Sequence, residues 1–135
     1  MKFTSKIYVR WADLDAFGHV NNAHYLTYAE LARVDWAGKQ FAPKDGSSVL
    51  VEMTVAHSEV DYLIPITNFG SDYDVILWVE RIGNTSFTVA YEMLKDGVVY
   101  AKMKTVQVMI DIDKMKSRPI NPTEREFLTK YLASS

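Results

Sequence analysis

The chain has no cysteine, which excludes disulfides, thiolate metal sites and a cysteine nucleophile together and fits a reducing compartment. It also lacks any apolar run of membrane-spanning length, and its opening, Met1 to Lys6, has no apolar signal-peptide core. A cytoplasmic protein with no membrane partner is therefore expected. Charge of one sign is missing too: 15 basic residues stand against 17 acidic ones, for a net charge of −2, and no basic cluster exceeds Lys114-Met-Lys116. Phosphate backbones require clustered lysine and arginine, so nucleic acid is not an expected partner. No repeat, low-complexity tract or linker divides the 135 residues, which predicts one domain over 1–135. What remains is 48% hydrophobic and 24% charged, the balance of an ordinary globular domain.

Residues 6 to 12 alternate Ile7, Val9 and Trp11 against Tyr8 and Arg10, the two-residue period of a strand with one buried face. Residues 13 to 21 lose that period, and Gly18 permits a turn. From Asn22 the spacing of Tyr25, Tyr28, Ala29, Ala32 and Trp36 predicts a helix of about four turns, capped by Asn21 or Asn22 and stopped at Gly38. A loop is expected over Lys39 to Ser48. A long strand from Val49 to Tyr62 should follow, with a bulge near Ala56-His57 where its alternation changes face. Two further strands, Tyr73 to Ile82 and Ser86 to Lys95, meet at a Gly83-Asn84 turn. Asp96-Gly97, a strong hairpin signal, leads into a last strand, Val98 to Ile112. Asn121-Pro-Thr-Glu124 then opens a short helix reaching about Ala133. The fold class expected is α+β: a curved five-stranded antiparallel sheet wrapped around one long helix, with a short C-terminal helix. Such a sheet has open edges, and pairing an edge with a second copy predicts a homodimer.

The candidate chemistry crowds into the junction from Asp13 to Glu30, which carries Asp13, Asp15, Gly18, His19, Asn21, Asn22 and His24. A helix start presents unbonded N–H groups and the positive end of a dipole, suited to a developing oxyanion. A carboxylate just upstream can reach the same carbonyl carbon from another side. An isolated Asp-x-Asp is more often a pair of turn-formers bonding their own backbone. His19 suits either orienting Asp15 or shaping the turn. His24, five residues further on, has the wrong spacing for a helical metal pair, so no metal is expected. Glu30 with Arg33 reads as an exposed pair, or as a partly buried structural one if the helix is wrapped. His57 reads as a surface or hydrogen-bonded residue.

The spacing Arg10-Trp-x-Asp13-x-Asp15-x-x-Gly18-His-Val-Asn-Asn22-x-x-Tyr25-x-x-Tyr28-x-Glu30-x-x-Arg33 resembles the hot-dog-fold acyl-CoA thioesterases of the 4-hydroxybenzoyl-CoA thioesterase type. Val60-Asp-Tyr62-x-x-Pro65, Ile82-Gly-x-x-Ser86-Phe87 and Arg118-Pro119-Ile-x-Pro122 are similar to that family as well, so the likeness covers nearly the whole chain. It implies hydrolysis of an acyl thioester of coenzyme A or of an acyl-carrier protein. Asp15 would be the catalytic nucleophile or general base, and the Asn22 amide would polarise the carbonyl. His19 and Asn21 would lie beside that carbonyl, with Asp13 and Gly18 shaping the site. No metal or organic cofactor is implied. Basic residues that some members carry for the coenzyme A phosphates are replaced here by Gly83-Asn84-Thr85, so those contacts would draw on Arg81, Thr85, Ser86, Lys116 or Arg118. Assembly as a homodimer, or a dimer of dimers, is implied too. Trp11, Phe17, Tyr25, Met53 and Trp78 are candidates for an acyl tunnel. An enoyl-thioester hydratase or lyase on the same fold, and a non-catalytic thioester-binding module, are the alternatives.

Overall fold

A computed structural model describes residues 1–41 and 52–133. The loop expected at Lys39 to Ser48 and the first residues of the strand expected from Val49 fall mostly outside that range. The elements run β1 (Phe3–Val9), a single 3-10 turn (Trp11–Asp13), α1 (Ala23–Gln40), β2 (Met53–Tyr62), β3 (Ser71–Ile82), β4 (Ser86–Lys95), β5 (Val98–Asp111), β6 (Lys116–Ser117) and α2 (Pro122–Lys130). Five strands form one antiparallel sheet in the order β1-β3-β4-β5-β2, and the two-residue β6 pairs with β5. With α1 packed on one face, this is the α+β hot-dog architecture expected from the sequence. The short β6 is an addition to it.

Alternation sorts the sheet into a core face and an outer face. Tyr73, Val75, Leu77 and Val79 of β3 and Phe87, Val89, Tyr91 and Met93 of β4 are buried. Against them α1 sets Tyr25, Tyr28, Ala29, Ala32, Trp36 and Ala37, the stripe that three- and four-residue spacing marks out. Register shifts at Val55/His57, Val79/Arg81 and Met93/Leu94 add residues to one strand of a pair and bend the sheet around the helix. The first of these is the bulge expected at Ala56-His57. Asp96 and Gly97 both have positive φ, 51° and 78°, as a tight hairpin between β4 and β5 requires.

Several boundaries differ from the sequence reading: β1 and β3 begin earlier, at Phe3 and Ser71, α2 ends at Lys130, and two further differences have a visible cause. The first strand ends at Val9, because the Asp13 carboxylate accepts from the Arg10 amide at 3.1 Å and turns the chain into a 3-10 helix. That places Trp11, expected on the buried face, at 72% exposed. Gly38 lies inside α1 instead of ending it. The Phe41 amide closes the last turn on the Ala37 carbonyl, and the Phe41 ring packs on Phe127 with centroids 4.9 Å apart. That packing offsets the cost of a helical glycine, about 1 kcal/mol.

The C-terminal helix is fixed from both ends. At its start, Asn121 accepts from the Glu124 amide while Glu124 accepts from the Asn121 amide, a reciprocal cap with Pro122 in the first turn. Glu124 is fully buried and is gripped by Arg118 through two bonds of 2.9 Å. Beyond the helix the chain runs beside the β3 irregularity, where Val79 donates to the Tyr131 carbonyl and Ala133 donates to the Val79 carbonyl.

Candidate functional site

The junction between β1 and α1 is a closed loop. Leu14 and Val20 form an antiparallel bridge, and inside it the Asp15 amide donates to the His19 carbonyl at 2.8 Å while the Gly18 amide donates to the Asp15 carbonyl at 3.0 Å. Gly18, at φ +75°, supplies the left-handed residue that this turn needs. The Asp15 carboxylate caps its own loop: Oδ1 accepts from the Phe17 amide at 2.9 Å and the His19 amide at 3.4 Å. Its Oδ2 has no protein partner among the described residues. One carboxylate oxygen is thus held, on a residue that is half-buried.

The amides at the helix start are accounted for one by one. Asn21 N–H donates to the Asp13 carbonyl at 2.9 Å, Ala23 N–H to the Asn21 side chain at 2.9 Å, and His24 N–H to the Asn21 carbonyl at 3.0 Å. Asn21 is therefore the capping side chain. Asn22 already has helical dihedrals and caps nothing with its side chain. Its own N–H finds no acceptor among the described residues, and neither does that of Tyr25, as is usual of the first amides of a helix. The Tyr62 hydroxyl, on β2, donates to the Asn22 carbonyl at 3.3 Å, and the Tyr62 ring meets Tyr25 edge-on at 5.0 Å.

Asp13 holds this junction in place. It is 1% exposed. Its Oδ1 accepts from Arg10 at 2.8 and 3.1 Å, and its Oδ2 accepts from the Tyr28 hydroxyl at 2.7 Å as well as from the Arg10 amide. Burial alone would raise its pKa, but the bonds from Arg10 and Tyr28 outweigh burial and hold the carboxyl below its ordinary range. The same contact, added to burial, pushes the Tyr28 hydroxyl far upward. His24 stacks on Tyr28 and stands 3.9 Å from Asp13, while the His19 side chain is exposed at the loop. Among the described residues no three potential ligands gather as a metal site.

The other candidates are scattered. Arg81 and Ser86 line a depression of about 250 Å³ with Gly83 and Asn84, and Thr85 lies in the same turn. Lys116 is exposed on β6, whereas the Arg118 guanidinium is turned onto Glu124 and the Pro119 carbonyl. Trp11 and Phe17 stand exposed, at 72% and 86%, beside the Asp15 loop, and Tyr25 is in the core. Met53 borders a cavity between α1 and the sheet. Trp78 is on the outer face, where Lys2 sits 4.2 Å above its ring, so it is not on the helix side of the sheet. His57 contacts Glu59 at 3.0 Å on the exposed β2 surface.

The sequence reading passed over one polar cluster. Arg33, only 7% exposed, donates to the Tyr91 hydroxyl at 3.0 Å, which lies 2.7 Å from the Thr105 hydroxyl, and Gln107 is buried next along β5. Of the two burial states open to Arg33, the structure has the buried one, and its bonded partner is Tyr91. The signal was available: Thr105 and Gln107 fall on the alternation that buries Ala101, Met103 and Met109.

The curved antiparallel sheet with α1 on one face is the architecture of a hot-dog domain. Residues 9–128 match the model of the thioesterase-like superfamily, and the chain belongs to that family. Among solved structures it is similar to that of a predicted thioesterase from Bacillus stearothermophilus, at 29% identity and a TM-score of 0.84 over 100% of this chain and 99% of that one. It is likewise similar to a thioesterase from Thermus thermophilus complexed with coenzyme A and Zn, at 30% identity and a TM-score of 0.81 over 95% and 92% of the two chains. The protein YsmA of Bacillus subtilis (strain 168) is 24% identical over 126 residues, 92% of this chain and 82% of its own length.

Asp13→Asn keeps the shape of this anchor and removes its charge. A loss of about 2–3 kcal/mol in urea unfolding near neutral pH is expected. Because the folded-state pKa of Asp13 is depressed, its contribution is complete above the ordinary carboxylate range and is lost as pH falls below about 4. The variant should lack that share of the acid-side decline, and an unchanged pH profile would show that Asp13 contributes none of it.

Proposed function

We propose that the protein hydrolyses acyl-coenzyme A thioesters to the free acid and coenzyme A. The observation that carries this reading is the pairing of a half-tied Asp15 carboxylate with the Asn22 amide, a helix-start donor with no acceptor among the described residues. A thioester carbonyl oxygen placed on the Asn22 N–H would gain a donor as its charge develops. Asp15 Oδ2 then acts on the carbonyl carbon, as a nucleophile forming a mixed anhydride that water cleaves, or as a base taking a proton from the attacking water. In either route the thiolate leaves and takes up a proton. The reaction needs no metal or organic cofactor. His19 and Asn21 border the carbonyl, Asn21 by fixing the helix start. Coenzyme A on a solved relative supports the choice of thiol. Arg81, with Thr85 and Ser86 in the turn that follows it and Lys116 on β6, is assigned to its phosphates.

The proposed assembly is a homodimer joined through β2. This strand is an outer strand of the sheet, paired only with β5, and is exposed along most of its length. Val55, Tyr62, Leu63 and Ile64 leave apolar surface on and beside it, and Leu26 and Val34 do so on the outer side of α1. A long apolar edge of that kind is normally paired. Antiparallel pairing of β2 with its copy covers it with a self-complementary surface.

Asp15→Asn should reduce thiol release from a panel of short, long and aromatic acyl-coenzyme A substrates by roughly a hundredfold or more, with an unchanged unfolding midpoint. Near wild-type release from the variant would remove Asp15 from the chemistry. Sedimentation equilibrium at micromolar concentration should give twice the chain mass, and a monomer would remove the β2 pairing.

A further inference from the structure

The edge of the sheet opposite β2 is β1, which pairs with β3 alone. The Val9 carbonyl faces β3, where it accepts from the Gly70 amide, and the register between the two strands is unbroken from Phe3 to Val9. Backbone groups alternate sides along a strand, so those of Thr4, Lys6 and Tyr8 point away from the sheet, and no described residue bonds them. Beside this edge lies a groove of about 720 Å³, with Thr4, Lys6 and Tyr8 on one wall and Thr27, Leu31 and Lys39 of α1 on the other. The Ser5 hydroxyl donates to Asp35 at 2.7 Å and ties the two walls together. The strand wall from Thr4 to Arg10 runs about 20 Å and the helix wall from His24 to Lys39 about 22 Å, the length of an extended segment of about six residues. Another extended backbone carries donors and acceptors at the spacing that a strand edge presents.

The charge on the rim chooses between strands. The side chains of Lys6, Arg10 and Lys39 are 64 to 68% exposed, whereas their carboxylate partners Asp74, Asp13 and Asp35 are 33%, 1% and 24% exposed. An approaching strand therefore meets N–H donors in front and the carboxylates behind them. A second copy is a poor occupant, because antiparallel pairing of β1 with itself about Lys6 sets Lys6 against Lys6 and Lys2 against Arg10, and like charges directly opposite repel. An acidic strand meets the same row with attraction.

We propose that this groove docks an extended acidic segment of another protein, added to β1 as a further strand. Its backbone bonds Thr4, Lys6 and Tyr8, its carboxylates on the outer face meet Lys6 and Arg10, and its alternate side chains lie on Leu31 and Thr27. The surface is separate from the Asp15 chemistry and from the β2 pairing, and it stands if either fails.

The probe is acetyl-Glu-Val-Glu-Val-Glu-Val-Glu-amide, with the peptide in which lysine replaces each glutamate as control, added to the isotope-labelled full chain. The amide protons of Thr4, Lys6 and Tyr8 should move downfield and saturate, while those of Ser5, Ile7 and Val9, which face β3, move less. Affinity for the acidic peptide should exceed that for the basic one about tenfold or more at low salt. Thr4→Pro removes one outward N–H at an edge position, where proline leaves the pairing of β1 with β3 intact, and should weaken binding about tenfold. Lys6→Glu, which changes no backbone group, should reduce or reverse the preference between the peptides. No saturable shift below about 1 mM peptide, equal affinity for the two peptides, or shifts centred on Ser5 and Ile7 would overturn the proposal. So would a sedimentation mass that rises with protein concentration and falls back in Thr4→Pro, because a second copy would then fill the groove.

Discussion

The fold and the candidate site both depend on one buried carboxylate. Asp13 receives Arg10 from the end of β1, the Tyr28 hydroxyl from the second turn of α1, and through its carbonyl the Asn21 amide at the helix start. A buried charge is tolerated only when its lone pairs are met, and here five hydrogen bonds meet the residue. Their combined effect is to lock strand, loop and helix in one relative position. The loop between them is then too short to wander, and Asp15 is presented at a fixed place ahead of the helix.

The rest of the molecule supports that junction from a distance. The bent sheet gives α1 a concave face to lie against, and the α2 aromatic cluster of Phe127 and Tyr131 around Trp36 holds the other end of the helix. Between those ends the core is not purely apolar. Arg33, Tyr91, Thr105 and Gln107 form a buried polar strip under the helix.

Much of this was legible in the sequence because period and turn chemistry act locally. The α1 stripe, the Asp96-Gly97 hairpin, the Asn121 cap and the β2 bulge all follow from spacing within about ten residues. The misplacements have a common cause in contacts that periodicity does not register. Trp11 continues the alternation of β1 in sequence, but a hydrogen bond from Arg10 to Asp13 ends the strand first. Gly38 has the chemistry of a helix stop, yet Phe41 packing on Phe127 carries the helix past it. Arg118 looks like a spare cation until Glu124 is brought under it. In the site, the order of residues made Asp15 and the helix start conspicuous, whereas the free Asn22 amide became visible only with coordinates. The choice of Asn21 over Asn22 as the cap also came only from geometry.

The central claim is that the Asn22 amide, held in place by Asp13, is the donor to the substrate carbonyl. It is tested most directly by the amide resonance of Asn22 in isotope-labelled protein, titrated with an acyl-coenzyme A analogue in which a methylene replaces the sulfur. That ketone keeps the carbonyl and cannot be hydrolysed. A downfield shift of the Asn22 proton, larger than that of the Ala23 or His24 amide and reduced in Asp13→Asn, is the predicted result. Saturable binding of the analogue with the Asn22 amide unmoved would contradict the account.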